Sequence, residues 1–64
     1  MDIMKVYHEV FDDNKNVKLC GRKKCIQLIR MCQEIDTGTN YGNLETGIMN
    51  VKAINSLIDK LKEE

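Results

Sequence analysis

Residues 3–11 read Ile3-Met4-Lys5-Val6-Tyr7-His8-Glu9-Val10-Phe11, and they run on into Asp12-Asp13-Asn14-Lys15-Asn16 and then Val17-Lys18-Leu19-Cys20. The fold follows from how this stretch is read. Ile3, Val6, Tyr7, Val10 and Phe11 fall at helical spacing, with Lys5, His8, Glu9 and Asp12 on the other side. The residue types favour a strand, because Val, Tyr and Phe suit a pleated surface. Two aspartates at the end would oppose the negative C-terminal end of a helix dipole. Residues 12–16 carry turn chemistry, and 17–20 alternate apolar and polar. The expected element is therefore a β-hairpin spanning about residues 4–20, with strands at 4–11 and 16–20. Asn14 or Lys15 would take a left-handed conformation at its turn.

Working outward, Arg22-Lys23-Lys24-Cys25-Ile26-Gln27-Leu28-Ile29-Arg30-Met31-Cys32-Gln33-Glu34-Ile35 is an amphipathic helix. Cys25, Leu28, Ile29, Cys32 and Ile35 mark one face; Arg22, Lys23, Gln27, Arg30 and Glu34 mark the other. Its charges run against the dipole, with three cations at the start and Glu34 and Asp36 at the end. A local rule broken without visible compensation hints at function. Residues 36–47 are rich in Gly, Asn and Thr and read as a loop. Asn50 is then placed as an N-cap, with Met49 and Ile54 as a hydrophobic staple. A second helix follows at about 51–62, its stripe made by Val51, Ile54, Leu57, Ile58 and Leu61. The expected fold is small α+β, a hairpin packed on two helices; the alternative is an all-α three-helix domain.

The 64 residues form one domain, and a core this small usually needs support from a disulfide, a metal or a second subunit. Two helices can cover one face of a hairpin. The other face and the free strand edge would be left for another copy of the chain. This points to a homodimer through Ile3, Tyr7 and Phe11, with the strands pairing into a four-stranded sheet.

The chemistry narrows mostly by exclusion. Formal net charge is zero, unlike a protein that coats nucleic acid or an anionic membrane. No apolar run reaches membrane-spanning length, and the N-terminus lacks the pattern of a signal peptide, so the expected setting is cytoplasmic with reduced thiols. Zinc would need His8, Cys20, Cys25 and Cys32. On one helix Cys25 and Cys32 are separated by about 10 Å, beyond the reach of one ion. They read as buried small hydrophobes. Cys20 lies beside a helix start and three cations, which lower a thiol pKa, but no Cys-x-x-Cys pattern is present. No metal or other cofactor is implied, nor is a catalytic set.

Two places remain for binding. Gly21 with Arg22, Lys23, Lys24 and, further along the helix, Arg30 would suit a phosphate or a nucleic-acid backbone, although no nucleotide-binding pattern is present. A helix-turn-helix is excluded, because about fourteen residues join the two helices where that motif uses three or four. The loop 36–47 is not an EF-hand: its sixth position is Tyr41 and its twelfth Gly47. Tyr41 and Leu44 either pin this loop to the core or, with Glu45, face a partner. The reading that results is a small non-enzymatic interaction module. It would be a homodimer acting on an unidentified protein as regulator or inhibitor. The alternative is a binder of nucleic acid or phosphorylated ligands through the basic helix start.

Overall fold

The computed structural model describes residues 2–18 and 21–63. They form three helices: α1 over Ile3–Val10, α2 over Arg22–Ile35 and α3 over Val51–Glu63. No strand occurs among the described residues. Two isolated antiparallel bridges, Phe11 with Val17 and Gly42 with Met49, close the two connecting segments. The expected α+β fold with a hairpin at 4–20 is therefore corrected to a small all-helical domain. Leu19 and Cys20, placed in the second strand, lie outside the described residues.

The physical reason lies in where the apolar groups must go. As a strand, residues 3–11 would divide their apolar side chains between two faces. Ile3, Tyr7 and Phe11 would share one with Lys5 and Glu9; Met4, Val6 and Val10 would share the other with His8. A helix gathers Val6, Tyr7 and Val10 on one side, and all three are buried. In a chain this small there is core on one side only, so burial overrides the strand preference of the individual residues. Asp2 supplies the start signal: its carboxylate accepts a hydrogen bond from the Met4 N–H at 2.9 Å.

Asp12 does not oppose the helix dipole as feared. It lies beyond the C-cap, Phe11, which is already extended. Its carboxylate accepts from the N–H groups of Asn14 at 2.8 Å and Asn16 at 3.0 Å. The tight turn itself is present, closed by Asp12 N–H to the Asn16 carbonyl at 2.8 Å, and Lys15 takes the left-handed conformation at φ 66°.

α2 and α3 match their expected positions. α2 buries Cys25, Leu28, Ile29 and Cys32. α3 buries Ile54, Leu57 and Ile58. Asn50 caps α3, its side-chain oxygen accepting from the Ala53 N–H at 3.2 Å. The core forms where the three helices meet, with Phe11 and Tyr41 added from the connections. Tyr7 stacks on Phe11 at 4.8 Å and donates its hydroxyl hydrogen to Asn55 on α3 at 2.6 Å. Among the described residues two exposed ion pairs lace the surface: Lys15 with Asp59 at 2.9 Å and Lys24 with Glu9 at 2.8 Å. Being exposed, each contributes little to stability.

Candidate functional site

Residues 36–50, between α2 and α3, are held by their own side chains. Asp36 accepts from the Gly38 N–H at 3.1 Å, the Thr39 hydroxyl at 3.0 Å and the Tyr41 hydroxyl at 2.8 Å. Asn40 accepts from the Gly42 N–H at 3.0 Å, and Asn43 from the N–H groups of Glu45 at 2.8 Å and Thr46 at 3.2 Å. The Asn50 amide nitrogen donates back to the Asn40 carbonyl at 2.9 Å. Asn and Asp are suited to this because their short side chains reach the backbone two residues on. The hydroxyls of Tyr41 and Thr39 and the Gly38 N–H hold the Asp36 carboxyl below its ordinary pKa. That contribution is present at neutral pH and is lost as pH falls through the depressed value. Burial, with help from Asp36, pushes the Tyr41 hydroxyl up.

Of the three loop residues singled out from sequence, Tyr41 is buried and pins the loop to the core. Leu44 and Glu45 are exposed. Ile48, which the sequence reading did not single out, is the most open large apolar side chain among the described residues, at 70% exposure. Val51, assigned to the buried stripe of α3, is 36% exposed and lies three positions along from Ile48. The available signal was an isoleucine outside any helical period, in a segment rich in polar residues and glycine. At Gly42 the loop backbone rests on Ile29 of α2.

The basic start of α2 is partly engaged within the chain. The Arg22 guanidinium donates to the Glu45 carbonyl, tying α2 to the loop. Lys24 pairs with Glu9 of α1, and that contact holds the Glu9 carboxyl below its ordinary range. Lys23 and Arg30 are exposed on the outer face of α2. Together with Ile26, Gln27, Met31 and Glu34 they line a shallow groove of about 380 Å³. Gly21 caps α2 without a side-chain hydrogen bond.

Tyr7 and Phe11, expected at a dimer interface with Ile3, are buried in this chain's own core at 2% and 1% exposure, and Ile3 packs against that core. The strand-paired route to a dimer falls with the strand on which it depended.

Cys25 and Cys32 are both buried on the inner face of α2. Burial pushes the Cys32 thiol up to about 11. The group is protonated in the folded protein at neutral pH, when only the thiolate is nucleophilic. Cys32 should therefore resist iodoacetamide at pH 8 and react at the rate of a free thiol once urea unfolds the chain, as peptide mapping would show. The raised value also makes stability fall as pH climbs from the ordinary thiol range toward 11, because the unfolded chain ionises first. Among the described residues no group of three or more His, Cys, Asp or Glu side chains is placed to hold a metal ion. Cys20, weighed above as a reactive thiol and as a ligand, lies outside the described residues. No described helix is long and apolar enough to cross a membrane.

The chain matches no protein-family model, no curated protein and no solved structure.

Proposed function

We propose that this protein is a small, non-enzymatic interaction module, a homodimer that regulates or inhibits a larger protein through Leu44, Glu45 and Ile48. The observation that carries the reading is Ile48, 70% exposed on a loop whose backbone is fixed by its own side chains. An apolar side chain held out on a preformed segment costs little ordering when it binds. The polar residues around it, Asn43, Glu45 and Thr46, fit the rim that surrounds the apolar centre of a protein interface. The alternative, contact with phosphate or nucleic acid, has Lys23 and Arg30 as its exposed cations, since Arg22 and Lys24 already have partners.

The test is site-specific photo-crosslinking in the source cells. A photoreactive amino acid at position 48 should give one discrete adduct with a larger protein. Leu44→Asp should abolish that adduct, while circular dichroism shows the helices unchanged. The same probe at Lys60, exposed on α3, should give no such adduct. Identical adduct patterns from positions 48 and 60 would refute the reading. Capture of RNA or DNA by the probe placed at Lys23, lost in 0.5 M salt, would favour the alternative.

A further inference from the structure

The outer face of α2 carries opposite charges at its two ends, Lys23 and Glu34. Its groove is lined by Lys23, Ile26, Gln27, Arg30, Met31 and Glu34. These six positions pair off symmetrically about the midpoint between Leu28 and Ile29: 23 with 34, 26 with 31, and 27 with 30. The face lies on the side of the helix opposite Cys25, Leu28, Ile29 and Cys32, with Met31 at its edge also packing against the core. A two-fold axis through that midpoint would set a second α2 antiparallel to the first. Lys23 of each chain would then meet Glu34 of the other, Ile26 and Met31 would flank the seam, and Arg30 would lie across from Gln27.

The charges of α2 add a second argument. Three cations begin the helix and two carboxylates end it, all against the dipole. Within the chain most of these are accounted for. Arg22 bonds to the Glu45 carbonyl, Lys24 pairs with Glu9, and Asp36 closes the loop start. Lys23 and Glu34 have no ion-pair or hydrogen-bond partner among the described residues. They are also the oppositely charged pair that the two-fold arrangement brings together. Antiparallel pairing further sets the positive end of each helix beside the negative end of the other.

We propose that a second copy of this chain covers the outer face of α2, forming an antiparallel, two-fold helix pair closed by two Lys23–Glu34 ion pairs. The inference rests on the homodimer in the function proposed above and supplies its interface; the loop 36–50 is left out of the contact. From Lys23 to Glu34 the seam runs about 16 Å, and its centre is polar, so the dimer is a weak, exchanging one. Concentration-dependent association suits an interface at the small end of the range.

Sedimentation equilibrium of the full chain, from 10 µM to 1 mM, tests this with charge reversals. Lys23→Glu and Glu34→Lys should each weaken the dimer by about tenfold or more, since each sets like charges face to face. Neither should unfold the monomer, because each improves the match to the helix dipole. Lys23→Glu combined with Glu34→Lys in one chain should restore dimerisation to within about threefold of wild type. The two single variants mixed should pair with one another. A control mixture of Lys52→Glu and Glu63→Lys, with the same net charges placed on α3, should show no preference for mixed pairs. A wild-type dimer indifferent to both reversals would overturn this interface and leave the dimer standing on another face. A wild type that stays monomeric at 1 mM would overturn the interface and the dimer together.

Discussion

Gly42→Ala is expected to leave the protein largely unfolded at 25 °C. Gly42 has φ +145°, a backbone conformation that side chains rarely adopt. A Cβ there would sit 2.6 Å from the Ile48 carbonyl oxygen and 2.7 Å from the Ile29 Cδ1. Neither neighbour can step aside cheaply. The Ile48 carbonyl accepts from the Asn43 N–H at 2.9 Å, and Ile29 is fully buried. Backbone strain of about 1–3 kcal/mol adds to overpacking of about 1–3 kcal/mol. A core this small supplies about 3–5 kcal/mol in all, so the sum removes most of it. Urea unfolding followed by circular dichroism reads the loss. Gly38→Ala is the control, since its Cβ would meet only Asp36 Oδ1 at 3.5 Å. Near-identical midpoints for Gly42→Ala and wild type would mean that the loop does not rest on α2 as described.

Phe11→Ala should be almost as damaging, at about 3–5 kcal/mol. Phe11 is 1% exposed and stacks on Tyr7, although it lies one residue past the end of α1. Its side chain fills the space where α1 turns away from the bundle, while its N–H closes the helix on the Tyr7 carbonyl at 2.8 Å. Truncation removes the ring and leaves Tyr7 with an empty face. Phe11→Leu should recover most of the loss. Chemical denaturation of the two variants tests the helical reading of residues 3–10 against a monomeric hairpin, in which this ring would be half exposed. In a hairpin, Phe11→Ala would cost under about 1 kcal/mol, as surface changes do.

How much of this was legible in the sequence depended on element length. α2 and α3 repeat their apolar period over three turns or more, and their expected bounds agree with the structure within a residue. α1 has two turns, and its period competes with residue types that favour strands. The deciding facts were Asp2, a cap at the start of the stretch, and the position of the core, which a local pattern does not contain. The turn at 12–16 was read correctly, with its left-handed residue left between Asn14 and Lys15, and the wrong element was attached to it. In the loop, the choice between pinning and display for Tyr41 and Leu44 turned on which side chain could reach the core, and Tyr41 does so with its hydroxyl on Asp36. Ile48 escaped notice because exposure is a property of packing. The dimer surface first read from Ile3, Tyr7 and Phe11 followed from the hairpin, and the two rings moved inside with the helix. The two-fold pattern of α2 was in the sequence throughout, visible once it was known which side of the helix the core occupies.

The self-bonded loop has a consequence in the time domain. The N–H groups of Gly38, Gly42, Asn43, Glu45, Thr46, Gly47, Ile48 and Asn50 all donate to a side chain or carbonyl of the same segment. An amide proton trades with solvent only when its bond opens, and for Asn43 and Asn50, whose bonds cross the loop to Ile48 and Tyr41, opening means parting Tyr41 and Gly42 from the core. In heavy water these two protons should persist alongside those of α2, although the segment contains no helix or strand. Deuterium uptake would then show Asn43 and Asn50 protected within a loop, and a partner arriving there would meet a surface that is already set.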